Sequence, residues 1–358
     1  MHAPAARGPG LQGLRRQPAS LPSDTSFNSF PNRTMTFDRT ARSPARSALV
    51  FALLACTIGV ASAQTTPEDI RPQIASARLG AGYAQMINLA ATPDLSAASY
   101  RIDEDDSRPT LDVFRAPYQA RWFALSPDAD LYWRIAGGYL AYKDSFAFDP
   151  SPAESGKIRS TWSAYSLSAG LMARISLGQG FTLEPALDLA LARLDNSARY
   201  EGAASALKPI LDGLLFNWNT DAWLATPSLA LAWSAGDAAG RTTVRGHVAR
   251  SWISSFDETD PVQSFDETAN IYSLRAEYAK PSDLHAFGRP LHWVVYGGYA
   301  GFFGANRDAL GFDGVAEIGG GLELPLRADR ASERVRLAAG YLRGSNVSGW
   351  TIGLSLQY

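Results

Sequence analysis

Thr182-Leu183-Glu184-Pro185-Ala186-Leu187-Asp188-Leu189-Ala190-Leu191-Ala192 alternates large apolar residues with polar or small ones without a break. Successive side chains of a β-strand point to opposite sides. Leu183, Pro185, Leu187, Leu189 and Leu191 therefore share one face, and Thr182, Glu184, Ala186, Asp188, Ala190 and Ala192 share the other. A helix would scatter the leucines around its circumference. A strand of a soluble sandwich rarely keeps this pattern so long, whereas a strand crossing a bilayer needs about 9 to 11 residues with lipid on one side and a lumen on the other.

Working outward, the same period recurs. Tyr165, Leu167, Ala169, Leu171, Ala173, Ile175 and Leu177 alternate with Ser166, Ser168, Gly170, Met172, Arg174 and Ser176. Applied to the whole chain, the rule yields twelve strands, near 97–103, 110–125, 131–143, 161–177, 181–195, 222–235, 241–254, 270–280, 291–304, 312–325, 334–344 and 347–358. Outer-membrane barrels alternate short periplasmic turns with longer external loops. The even-numbered connections, such as Ser126-Pro127-Asp128 and Gly178-Gln179-Gly180, are short, while the odd-numbered ones include 144–160, 196–221 and 255–269. Trp133, Trp223, Trp233, Trp252, Trp293, Tyr299 and Trp350 fall near strand ends, where amphipathic rings settle at the headgroup level. Glycine pairs inside strands, such as Gly137-Gly138 and Gly297-Gly298, suit the coiling of a closed sheet. The expectation is an all-β, antiparallel up-and-down transmembrane barrel of about 12 strands, spanning 97–358.

The N-terminus explains how such a chain reaches its membrane. Met35 is followed by Arg39, Arg42 and Arg46, then by the apolar run Ala48 to Ala61, and Ala61-Ser62-Ala63 has the small-x-small form of a signal-peptidase site,. Residues 35–63 read as a signal peptide cleaved near Ala63, and residues 1–34 as a mis-called start or a disordered extension. A second reading takes Leu53-Leu54-Ala55-Cys56 as a lipobox with Cys56 lipidated. Cleavage after Ala63 leaves 295 residues without cysteine, which suits an oxidising compartment and excludes thiolate metal sites and cysteine nucleophiles,. That mature part carries 26 basic and 33 acidic residues, a net charge of −7, so nucleic acid is not an expected partner,. Beyond residue 63 no apolar run approaches the roughly 20 residues of a spanning helix,.

Residues 64–96 form a separate N-terminal segment. Thr66-Pro67-Glu68-Asp69 opens like a capped helix, and Ile70, Ile74, Leu79, Tyr83, Met86 and Leu89 follow at roughly helical spacing, interrupted by Pro72, Gly80 and Gly82,. Residues 75–90 also admit a reading as one additional strand. At the other end, Trp350, Ile352, Leu354, Leu356 and Tyr358 alternate with Thr351, Gly353, Ser355 and Gln357. The terminus resembles the signal read by the outer-membrane assembly machinery, with Gly353, Leu356 and Tyr358 at matching positions and Ile352 where a polar residue is usual.

Twelve strands preceded by a segment able to occupy the lumen resemble the translocator of autotransporters. Over residues 65–358 the chain is similar to the solitary outer-membrane autotransporter-type barrels, which carry the barrel without a passenger domain. The 33 residues before the first strand are too few for a secreted passenger. The resemblance implies a monomeric protein of a Gram-negative outer membrane, with a structural or surface-interaction role. Its partners would be the assembly machinery, lipopolysaccharide and phospholipid. The alternative is a small selective channel or transporter.

Neither catalytic residues nor a cofactor or metal site are expected. Barrel lipases resemble one another in placing a His and a Ser two residues apart on one strand face, but the nearest Ser after His247 is Ser251,. His2, His285 and His292 also fall outside the expected external loops. The lumen-lining candidates are Arg134, Arg174, Glu184, Asp188, Arg245, Arg275, Glu277, Glu317, Glu323 and Arg336, with Arg115 and Arg121 on the same faces. Such charges set selectivity in an open pore, or neutralise one another and fix strand register in a filled one. Acidic external segments, Asp103-Glu104-Asp105-Asp106 and the near-repeat Ser255-Phe256-Asp257-Glu258-Thr259 and Ser264-Phe265-Asp266-Glu267-Thr268, read as solvated loops or as carboxylates holding divalent cations against lipopolysaccharide. Leu207, Ile210, Leu211, Leu214 and Leu215 in the loop 196–221 would cover the barrel mouth, meet a partner or bury one another.

Overall fold

Every strand of the wall pairs antiparallel with its sequence neighbour, and the last pairs with the first, closing the sheet into a barrel. The computed structural model describes residues 66–76, 79–92, 98–102, 109–151, 154–237, 239–307, 309–326 and 334–357. The strands are β1 (Ala98–Ile102), β2 (Thr110–Ser126), β3 (Ala129–Ser151), β4 (Glu154–Gly178), β5 (Phe181–Gly202), β6 (Trp218–Asp237), β7 (Gly240–Phe256), β8 (Asp266–Ala286), β9 (Arg289–Phe303), β10 (Gly314–Pro325), β11 (Arg334–Gly344) and β12 (Val347–Gln357). Closure removes the exposed edges that an open sheet would present to lipid. The expected barrel of twelve strands is the observed one. The expected signal peptide and the acidic run 103–106 lie outside the described residues.

Two-residue breaks at 127–128, 179–180 and 287–288 mark one end of the barrel, and the segments 203–217, 257–265 and 304–313 mark the other. By the rule that external loops are the longer ones, the first end is periplasmic. Several strands outrun the expected bounds. β3 and β4 continue pairing through Phe148 and Gly156 and, after a register shift, to Ser151 and Glu154, so the segment expected as a loop at 144–160 is largely a projecting hairpin. Once a strand leaves the membrane no lipid faces it, and the period-two signal fades although the hydrogen-bond ladder continues. For the same reason β8 runs to Ala286 and β9 starts at Arg289, where a longer turn over Pro281 to Pro290 was expected.

The outward face is the apolar one. Leu187, Leu189 and Leu191 of β5, Leu167 and Leu171 of β4 and Leu229 and Leu231 of β6 are exposed, as lipid contact requires. Aromatic rings bound this belt: Trp223, Trp252, Tyr272, Tyr299 and Trp350 towards the long loops, and Trp133, Phe181 and Trp233 towards the short turns. Ten residue steps of β5 separate Phe181, which faces Trp233, from Leu191, which faces Trp223. At about 3.4 Å per residue and a tilt near 40°, that is a belt about 25 Å tall.

Two helices precede the wall, α1 (Pro67–Ser76) and α2 (Gly80–Ala91). The rival reading of residues 75–90 as a strand is not what the chain adopts. α2 is buried over nine consecutive residues, Tyr83 to Ala91. A helix buried on every side needs apolar or internally satisfied residues all round, and the stretch Tyr83-Ala84-Gln85-Met86-Ile87-Asn88-Leu89-Ala90-Ala91 meets that condition with only two polar side chains. It packs against inward residues of β3, β4, β5, β7 and β8, which places it inside the lumen.

Candidate functional site

The lumen has three storeys, and each follows from the inward-facing residues at its level. At the external mouth, the segment between β5 and β6 forms a short 3-10 turn (Ala203–Leu207) and one helical turn, α3 (Lys208–Leu211). Leu207, Leu211, Leu214, Leu215 and Phe216 are buried there against Phe148 and Ile158 of the projecting hairpin and against Ile70 and Ile74 of α1. The apolar residues of this loop therefore cover the mouth by burying one another and α1. Polar contacts lock the cover. Gln263 donates to the carbonyl oxygens of Gly213 and Leu214 at 2.8 and 3.1 Å, Arg71 donates to Asp260 at 2.7 Å, and Lys208 pairs with Asp212.

The near-repeat lies in this cover and its two halves do different work. Ser255 donates to Glu258 at 2.5 Å, whereas Phe265 turns inward beside the first turn of α2 and Glu267 accepts from Asn306 at 2.8 Å. Several of these acidic groups are thus engaged in holding loop geometry.

At mid-height α2 fills the bore. Tyr83 packs against Trp162, Trp218 and Phe265, with ring centroids 5.1, 4.9 and 6.1 Å away. Met86, Ile87 and Leu89 join the same buried cluster, each worth about 2 kcal/mol relative to exposure,. Buried polar groups of the helix must find partners or cost stability, and they do. Ser251 donates to the Asn88 side-chain oxygen at 2.7 Å, Gln85 donates to the Asn306 carbonyl at 3.0 Å, and Ser166 donates to the Ala90 carbonyl at 3.0 Å. The last contact satisfies a carbonyl that a helix C-terminus would otherwise leave unpaired. Opposite it, Gly138 lets β3 pass close, since a Cβ there would overlap the Ala90 carbonyl.

Below α2 the wall is charged. All ten lumen-lining candidates point inward and meet one another. Arg134 and Asp188 form a buried bidentate pair, which Gly170 permits because a Cβ at that position would strike the Asp188 carboxylate. Glu184 is shared by Arg174 at 3.0 Å and Arg245 at 3.2 Å. Arg336 reaches Glu277 and Glu323, both at 2.8 Å, and Arg275 reaches Glu317 at 3.5 Å. Arg275 and Arg174 also lie over the rings of Tyr296 and Tyr132. Arg115 is buried, while Arg121 sits at the periplasmic rim with Asp130.

Two members of the cluster were not singled out from sequence. Arg241 and Arg334 reach Glu323 at 3.1 and 3.4 Å. The signal existed, because Arg241 shares the strand face of Arg245, and Arg334 that of Arg336. The plug contacts Gln85, Asn88, Thr226 and Asn306 had no such signal, being set by tertiary packing alone. His247 is buried on β7, and Ser251 is committed to Asn88 and Thr226. His2 lies outside the described residues. Of the expected assembly signal, Gly353 and Leu356 pair with Ala338 and Val335, and Tyr358 lies outside the described residues.

A model of the solitary outer membrane autotransporter beta-barrel domain matches residues 95–355. The chain belongs to this family. The match takes in nearly the whole wall of the solitary autotransporter barrel, from just before β1 to near the end of β12, and the family is one of outer-membrane barrels rather than of enzymes. Among solved structures, the chain is similar to the β domain of the Bordetella autotransporter BrkA, with 12% identity, a TM-score of 0.47 and coverage of 74% of this chain and 96% of that one. The transport unit of the autotransporter AIDA-I from Escherichia coli gives 14% identity, a TM-score of 0.47 and coverage of 82% and 99%. The translocator domain of NalP from Neisseria meningitidis gives 10%, 0.47, and 87% and 99%. A monoaromatic hydrocarbon channel, CymD, gives 12%, 0.38, and 72% and 75%. No curated protein matches the sequence of this solitary autotransporter barrel.

Proposed function

We propose that the protein is an autotransporter-type barrel that stands closed in the outer membrane and acts as a structural or surface-interaction protein. One observation carries this reading: nine consecutive residues of α2, Tyr83 to Ala91, are buried within the wall. A helix occupying the bore obstructs the path of solutes, and the loop cover over it adds a second obstacle. Signal-peptide cleavage near Ala63, delivery by the assembly machinery and residence as a monomer among lipopolysaccharide and phospholipid complete the proposal.

The test is single-channel conductance in planar bilayers, comparing the purified mature protein with a variant lacking residues 65–90. A silent intact protein and a conducting truncated one support a lumen plug. Equal conductance from both makes the small selective channel the leading reading, with the charged lower lumen as its filter. Should the truncated chain fail to fold, Gly138→Leu, which displaces the helix end and keeps the chain whole, answers the same question.

A further inference from the structure

Beyond the apolar belt, the outward face of the projecting hairpin and of the strand beside it turns basic. On the alternation that sends Tyr165 and Leu191 outward, Lys143 of β3, Lys157 and Arg159 of β4 and Arg199 of β5 share the outer face, and all four are exposed. Arg159 and Arg199 stand directly opposite each other, Lys157 and Glu201 form the next pair, and Lys143 lies diagonal to Arg159. Like charges placed opposite each other on an antiparallel pair destabilise it. Among the described residues these four cations make a single ion pair, Arg159 with Glu201 at 3.2 Å. Its side chains are 61% and 46% exposed, so water screens it and the patch stays strongly positive,.

The back of the same strands is apolar. Phe146, Phe148, Ile158 and Tyr200 pack onto the loop cover, which fixes this part of the sheet and holds the basic groups on the side facing away from the barrel. Register sets their height. Lys143 is level with Ser197 through Thr161, six residues beyond Leu191, and Arg199 is eight beyond. At about 3.4 Å per residue and a tilt near 40°, the patch stands about 15 to 20 Å above the apolar belt. Phospholipid headgroups reach only about 5 to 8 Å above the hydrocarbon. The four cations therefore lie beside whatever stands taller than a phospholipid on the outer surface.

We propose that Lys143, Lys157, Arg159 and Arg199 form a docking surface for phosphate groups on the saccharide core of lipopolysaccharide, above its lipid anchor. Phosphate oxygens accept from the forked guanidinium groups and from the ammonium groups, and a phosphate between Arg159 and Arg199 relieves their mutual repulsion. A flat, fixed sheet face suits a column of saccharide standing upright beside the barrel. The inference rests on residence in the outer membrane with the long loops outside, and it holds whether or not the bore conducts.

Native mass spectrometry of the full mature protein in neutral detergent tests it, with three probes: lipopolysaccharide carrying a phosphorylated core, the same molecule with its core phosphates removed, and lipid A alone. The phosphorylated core is expected to bind at least about tenfold tighter than the other two. That advantage should vanish in the Lys157→Gln, Arg199→Gln double variant and persist in Arg193→Gln, which sits lower on the same face of β5 and pairs with Asp195 and Asp221. Equal binding of the three probes overturns the proposal, as does an undiminished preference in the double variant or its loss in Arg193→Gln. Retained heat-modifiable migration on gels shows that each variant is folded. On intact cells, Ala206→Cys, exposed in the loop cover of a mature chain without cysteine, should react with an impermeant maleimide. An unlabelled cysteine would place the long loops in the periplasm and overturn the orientation together with the site, whereas a labelled chain with no core preference overturns the site alone.

Discussion

The hydroxyl of Ser251 on β7 donates to the side-chain oxygen of Asn88 on α2 at 2.7 Å, and both residues are buried. The same hydroxyl lies 2.9 Å from that of Thr226, so one residue ties the plug to two strands of the wall. Ser251→Ala leaves the Asn88 oxygen with Thr92 alone, at 3.2 Å. Losing one partner of a buried polar group costs about 1–3 kcal/mol. The expected result is a lower melting temperature together with brief openings in planar bilayers. An unchanged melting curve and a silent trace would show that the bond does not hold the plug.

Gly137 and Gly138 are adjacent and predict opposite outcomes. A Cβ at Gly138 overlaps the Ala90 carbonyl and crowds the Ser166 hydroxyl, whereas a Cβ at Gly137 meets nothing within 4 Å because it points outward. Gly138→Leu therefore expels the end of α2 and raises conductance, and Gly137→Leu is tolerated with a conductance trace like that of the parent. If the two variants behave alike in bilayers, the packing of α2 against β3 does not close the bore.

The Arg134–Asp188 pair is buried on both sides, at 7% and 4% side-chain exposure. Removing one member takes the bidentate partner from the other buried charge, at a cost of about 3–5 kcal/mol, while replacing both with apolar residues of similar size is close to neutral. Asp188→Leu should thus lower the urea midpoint far more than Arg134→Leu, Asp188→Leu together. Gly170→Ala, which pushes a methyl group into the Asp188 carboxylate, should resemble the single variant. A double variant less stable than either single one would contradict this account.

Acid should loosen the loop cover late. Burial pushes the Asp212 carboxyl upward, but hydrogen bonds from Lys208 and Asn217 outweigh it and hold its pKa below the ordinary carboxylate value. A group depressed in the folded state contributes stability above its unfolded pKa and loses it as pH falls through the folded one. The cover should therefore resist pepsin at a pH of about 4.5 and become cleavable between residues 203 and 217 only below the ordinary value of about 3.9. Asp212→Ala should be cut at both. Equal cleavage of the parent and the variant at the higher pH would mean that Asp212 does not secure the cover.

Sequence alone determined the wall. Thr182 to Ala192 alternates because one face of β5 meets lipid and the other the lumen, and that difference of solvent is written residue by residue. Strand number, the inward set of charges and the end carrying long loops followed from the same local rule. Where the rule lost its cause, beyond the membrane in the β3–β4 hairpin and around Pro281, it also lost the strand ends. Only the tertiary structure decided what fills the barrel. Gly80 to Ala91 has mixed signals for helix and strand, and closure of the wall supplies the partners, Trp162, Trp218, Ser251 and Ser166, that make a buried helix favourable. The pairing of charges was likewise invisible. Alternation shows that Arg245 and Arg275 face inward, but their meeting across β7 and β8 depends on register, which is fixed by the turn and by every cross-strand contact at once,.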